Sequence, residues 1–130
     1  MEEFLNEIII SSEKNLQLDI FRMNGQVLLQ IFKAEDVARW GTDFKVESNA
    51  LVFQLLFNNG KTDNSRNLER FKESNSFMDF KFVEFYKQTN YFSNVPTRIG
   101  VLAIMEKIVE IINVVYGLSF EETKATLNAY

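Results

Sequence analysis

The 130-residue chain has no cysteine and no histidine. Without thiols there is no disulfide and no cysteine nucleophile. Without imidazole there is no Ser-His triad, no histidine proton shuttle and no zinc-finger ligand set. An enzyme built from this chain would have to work with carboxylates, hydroxyls, Lys, Arg and Tyr alone, and no constellation of these demands one. The expectation is a non-enzymatic protein with no catalytic residue, no metal and no cofactor.

Positive charge is also scarce. Fourteen Lys and Arg stand against eighteen Asp and Glu, for a net charge of −4. Nucleic-acid binding needs a basic surface that displaces counterions, so nucleic acid is disfavoured as a partner, although a local basic patch is compatible with this balance. The Asn-X-Ser/Thr glycosylation pattern is absent. The first ten residues, MEEFLNEIII, open with acids, and their apolar run is only Ile8, Ile9 and Ile10. That is neither a signal peptide nor a membrane span. A reduced cytoplasmic setting with no membrane is expected. Abundant Phe, Asn, Ile and Lys, all with AT-rich codons, point to a low-GC bacterium or its phage.

Apolar residues, in contrast, are plentiful, at 46% of the chain, with thirteen phenylalanines. A chain of this size buries somewhat under about 70% of its unfolded surface, enough for one core. There is no repeat, linker or low-complexity tract, so residues 1–130 are expected to form a single α+β domain.

The strongest signal is residues 98–116, RIGVLAIMEKIVEIINVVY. Val101, Ile104, Met105, Ile108, Ile111, Ile112 and Val115 recur at steps of three and four, which places them on one helix face. Glu106, Glu110 and Asn113 share the opposite face. Pro96 fits a helix start and Gly117 a stop. The next signal is Asn24-Gly25 between two alternating segments, which predicts a two-residue type I′ hairpin. That turn pairs Arg22 with Val27, Ile20 with Leu29 and Leu18 with Ile31.

Elsewhere the pattern predicts a first strand over residues 7–12, a helical turn or two over 34–40 and a short strand over 44–47. Residues 50–57, ALVFQLLF, are apolar on both faces and fit a central strand or a buried helix equally. A helical turn over 65–72 would point Leu68 and Phe71 inward. Residues 77–86 read as a strand with a bulge at Val83, and 88–96 as a connection. Ser119 with Glu122 makes a capping box opening a last helix to about Ala129. The expected architecture is an antiparallel sheet of about four or five strands packed against the long C-terminal helix. Leu18, Ile20, Leu29, Ile31, Phe53, Leu55, Phe80 and Phe82 supply the sheet side of the core.

Residues 34–41, Ala-Glu-Asp-Val-Ala-Arg-Trp-Gly following a strand, resemble the "x-A-x-D-V-A-x-x-L-G" helix of the N-terminal domains of phage antirepressor proteins. With the preceding hairpin the resemblance covers about thirty residues. Trp40 stands where that pattern has leucine, the downstream segment does not follow it, and no site residue is carried across.

Three constellations bear on function. Phe80, Phe82, Val83 and Phe85 match the aromatic spacing of an RNA-recognition strand. However, Lys81 stands where a small residue belongs and Met78-Asp79 replace a basic residue and glycine, so an amphipathic core strand fits better. Glu106 and Glu110, one helical turn apart, fit a solvated face better than a metal site. Lys61, Arg66, Arg70 and Lys72 beside Gly60 form a candidate ligand or partner loop for a small ligand or nucleotide, without the Walker spacing and with Asp63, Glu69 and Glu73 cancelling most of the charge.

The helix carries one excess. Ile99, Leu102, Val109 and Val114 widen its apolar stripe beyond the roughly 100° that one sheet face needs. Ile99, Leu102 and Val109 are the candidate interface, for a homodimer or another protein partner. The function expected is a protein-interaction module, a regulator or inhibitor encoded by a phage or mobile element. A ligand binder using the Lys61 to Lys72 loop and a nucleic-acid-binding regulator are the alternatives.

Overall fold

The helix of residues 98–116 forms close to where its spacing places it. In the computed structural model, which describes residues 1–57, 62–85 and 88–130, helix α4 runs Val101–Tyr116 after a 3-10 turn over Thr97–Ile99. Ile104, Ile108, Ile111, Ile112, Val115 and Tyr116 are buried. Gly117 ends it at φ +68°, its N–H donating to Asn113 O at 2.9 Å. Pro96 does not open the helix. It closes the preceding strand, and Gly100 is the N-cap.

Before α4 come α1 (Glu2–Ile10), β1 (Leu16–Arg22), β2 (Val27–Lys33), α2 (Ala34–Ala38), β3 (Ala50–Phe57), α3 (Thr62–Glu73), β4 (Lys81–Phe85) and β5 (Gln88–Pro96); β6 (Thr123–Ala129) follows. The fold is α+β. One antiparallel sheet has the order β4-β5-β3-β2-β1-β6, six strands rather than four or five. Helices α1, α3 and α4 share a core with one sheet face, in which Leu5, Ile8, Phe71 and the α4 isoleucines meet Leu18, Ile20, Leu29, Ile31, Phe53 and Leu55. On the other face a smaller cluster joins Phe32, Val52, Val83 and Phe92 to α2, with Trp40, Phe44 and Val46 laid over them.

The hairpin reaches its expected register by two departures that cancel. Arg22 N–H donates to Gln26 O and Gly25 N–H to Arg22 O, so the loop has three residues, Met23, Asn24 and Gly25, with Gly25 at φ +94°. This is a G1-bulge loop and not the two-residue type I′ turn, because Asn24 keeps a negative φ. It shifts the pairing by one residue, and a bulge at Leu28 shifts it back. Phe21 pairs with Val27, yet Ile20 pairs with Leu29 and Leu18 with Ile31. Slippage would have turned the aliphatic set to the wrong face, and the bulge prevents it.

Several other expectations are corrected. Residues 7–12 are not a strand: α1 takes them up to Ile10, since Phe4, Leu5, Ile8 and Ile9 recur at helical spacing against the core. Residues 44–47 form no strand. The Asn94 side chain ties them to β5, accepting from Glu47 N–H at 3.1 Å and donating to Lys45 O at 3.0 Å. Residues 50–57 form a strand, β3, paired with β5 over its whole length and with β2 over Leu51–Gln54. Residues 75–79 form a 3-10 turn, so only Lys81–Phe85 of the expected strand is one, and its ladder to β5 has no bulge at Val83. Phe80 is buried, but Phe82 is 59% exposed beside Tyr91 on the edge strand and is not core. Residues 88–96 are a strand and not a connection. The Ser119–Glu122 capping box forms but opens only a 3-10 turn, after which the chain pairs with β1 as β6.

Candidate interaction surfaces

The outward side of α4 presents several apolar side chains to solvent. Turning Ile104, Ile108, Ile111 and Ile112 onto the sheet leaves Leu102 67% and Val109 40% exposed, with Ile99 37% exposed in the 3-10 turn just before the helix. Leu102, Met105 and Val109 follow one another at steps of three and four. Glu106, Glu110 and Asn113 border them around a shallow depression of about 590 Å³. Of the three residues singled out in the sequence, Leu102 and Val109 thus lie along one edge of α4, and Ile99 lies in the turn before it. Glu106 and Glu110 belong to the rim of the depression, and among the described residues no group of three or more acids is placed to hold a metal ion.

Among the described residues the candidate cations do not converge. Arg66, Arg70 and Lys72 lie on α3 rather than in a loop, all exposed. Lys61, together with Asn58, Asn59 and Gly60, lies outside the described residues. Arg66 and Arg70, one turn apart, share a side, whereas Lys72 is roughly 160° around the helix from Arg70. The Arg70 guanidinium lies against Gly117, where a Cβ would come within 3.0 Å of Nη1. A cation there complements the carbonyl end of α4.

A second concavity escaped the sequence reading because it is made by strand divergence. β2 pairs with β3 only from Gln30–Gln54 to Lys33–Leu51. Beyond Gln30 the strands separate, and a cleft of about 690 Å³ opens, lined by residues 24–30, Gln54, Leu56 and Asn64. Its side chains are carboxamide-rich. Gln26 Nε2 donates to Asn64 Oδ1 at 3.1 Å while its Oε1 accepts from Arg22 Nε at 2.8 Å. The Tyr116 hydroxyl reaches the bulged strand from α4 and donates to Leu28 O. Burial pushes that hydroxyl well above the ordinary tyrosine range, partly countered by the Arg22 guanidinium.

The stretch resembling a phage antirepressor helix has a structural job here. Ala34 and Val37 pack in the smaller cluster, and the buried Asp36 carboxylate pairs with Arg39 and accepts from Asn15 N–H at 3.0 Å. Among the described residues no helix is long and apolar enough to cross a membrane. No known protein family, curated protein or solved structure matches the chain.

Proposed function

We propose that the protein is a non-catalytic interaction module that docks a partner protein on the outward stripe of α4. The observation that carries this is the exposure of Leu102 beside Met105 and Val109, with Ile99 also part-exposed in the turn before the helix. Exposed leucine and valine in a row on an otherwise well-packed helix gain by burial against a second apolar surface. The stripe is only a few side chains wide and long, far short of the roughly 20–30 residues a side of a stable complex. That size suits a reversible contact with one amphipathic helix. The rim selects the occupant. In a two-fold antiparallel self-pairing about the middle of α4, Glu106 of one copy would lie close to Glu110 of the other, which costs energy, whereas a partner helix with Lys or Arg beside its apolar face gains from both acids. A regulator or inhibitor working through surface shape is consistent with this arrangement.

A photo-cross-linker at position 105, used in extract of the native host and paired with sedimentation velocity, tests this. The expected result is a specific adduct that disappears in the Leu102→Glu/Val109→Glu double variant. Adducts unchanged by that variant overturn the proposal, and a self-adduct with dimer sedimentation would replace the foreign partner with a second copy.

A further inference from the structure

We propose that the cleft between the diverging ends of β2 and β3 binds a guanidinium group. The hydrogen bonds behind it fix which way its two central amides point. Asp19 is an acceptor when ionised, and its Oδ1 takes the Gln17 Nε2 donor at 2.7 Å and the Gln30 Nε2 donor at 3.0 Å. Gln30 must therefore turn its NH₂ to Asp19 and its carbonyl oxygen away. On the next strand Asn90 Nδ2 donates to Gln88 O, a carbonyl that can only accept, at 3.2 Å. That sets Asn90 with its oxygen toward Gln54, whose Nε2 donates to it at 2.7 Å. Gln54 too must then keep its carbonyl oxygen at the end away from Asn90.

Gln30 and Gln54 are direct cross-strand partners and both line the cleft. Side chains so paired start about 5 Å apart. Two neighbouring side chains of the cleft thus each keep an amide oxygen with no hydrogen bond from a donor among the described residues, and the Asp19 carboxylate holds the other end of one of them. Such a pair accepts and does not donate, and its potential is negative. It disfavours phosphate and carboxylate and favours a cation with several N–H groups in one plane, which is the form of guanidinium. Gln26 cannot compete, because Arg22 and Asn64 occupy both ends of its amide. Val27, which is exposed, and the half-buried Leu56 give the same cleft apolar side chains for the methylenes that carry such a head group. A cleft of about 690 Å³ is larger than the head group alone and falls within the usual range for a ligand site.

The guanidinium could be that of a small molecule or of a partner's arginine, so two probes are used: agmatine, and a blocked Gly-Arg-Gly tripeptide with its citrulline isostere as control. Binding is followed through the side-chain amide resonances of Gln30 and Gln54. Expected are saturable shifts with an arginine-type probe, none with the citrulline peptide, and affinity at least about tenfold lower in Gln54→Met, as loss of one charge-assisted acceptor requires. Asp19→Asn, which frees the Gln30 amide to rotate, is a second variant expected to weaken binding, and the backbone spectrum of each variant checks that it is folded. Equal affinity for both probes identifies a small guanidino compound as the ligand. Preference for the tripeptide identifies an arginine on a partner. No shift with either probe at about 10 mM, far above the useful range for a specific site, overturns the proposal. So does equal binding of the citrulline peptide, or unchanged affinity in a folded Gln54→Met variant.

Discussion

The Tyr116 hydroxyl, in the last turn of α4, donates to the carbonyl of Leu28, the residue that bulges from β2. One hydrogen bond thus ties the end of the helix to the place where the sheet corrects its register. Tyr116→Phe leaves that carbonyl without its buried donor and is expected to cost about 1–2 kcal/mol in urea unfolding. The same bond makes stability depend on alkaline pH. Burial raises the folded-state pKa of this phenol above the unfolded value near 10, so the fold prefers its neutral form. That contribution is complete below pH about 10 and declines as pH rises from there toward the folded pKa. Wild type should lose stability on that side, and the Phe variant should lose less. Parallel pH profiles for the two proteins would refute this role.

Gly117 tests the same helix end by another route. At φ +68° a Cβ meets its own backbone, and here it would also approach Arg70 Nη1 to 3.0 Å. Gly117→Ala is expected to cost about 1–2 kcal/mol, and Gly117→Asn less, because asparagine tolerates this conformation. The guanidinium is the far end of a flexible side chain, so most of the cost is backbone. Combining Arg70→Ala with Gly117→Ala should therefore recover little of it, and full recovery in a double-mutant cycle would show the contact dominates instead.

The two sides of α4 should separate cleanly under mutation. Ile108 is buried against the sheet, and Ile108→Ala is expected to cost about 3–4 kcal/mol as a cavity in the core. Leu102 and Val109 contact solvent, so Leu102→Gln and Val109→Gln should each stay within about 0.5 kcal/mol of wild type. If thermal unfolding showed Leu102→Gln as costly as Ile108→Ala, the stripe would be packing surface and not a docking surface.

How far the fold could be read follows from where burial and polarity agree. Helix α4 and the β1–β2 hairpin were legible because their buried positions are aliphatic and keep one period. β5 was not, because its interior residues include Asn90 and Ser93, and a strand that buries amides looks like a loop. β6 was missed for the opposite reason. As an edge strand it buries no residue fully, and the capping box before it is a local signal that a 3-10 turn satisfies as well as a helix. The three isoleucines of α1 carry strand propensity, but Phe4, Leu5, Ile8 and Ile9 hold the helical period that tertiary contact selects. Of the candidate sites, the α4 stripe was legible as an excess of apolar residues. The cleft was not, since no local pattern encodes where two strands part.

Asp36 supplies the remaining prediction. Asn15 sits at φ +60°, just before β1, and its N–H donates to Asp36 Oδ2 at 3.0 Å; Tyr130, the last residue, donates its own N–H to Asn15 O at 2.9 Å. The carboxylate is fully buried and pairs with Arg39, itself about half exposed. Asp36 thus holds the turn into β1 and, through it, the residue that follows β6. Arg39 remains solvated if its partner is removed, so the main cost of Asp36→Ala is the orphaned Asn15 N–H and the space left behind, about 2–3 kcal/mol. Asp36→Asn keeps an acceptor for that N–H and should cost less. Tyr130 reports the charge. Burial, and after it the negative Asp36, raises its pKa, opposed by a hydrogen bond with Trp40 and by Arg39. Removing the carboxylate should therefore lower the Tyr130 pKa in an ultraviolet titration, while amide exchange speeds up along β6. Asn and Ala variants of equal stability would place the whole effect in the ion pair, and unchanged exchange in β6 would break the proposed link to the chain end.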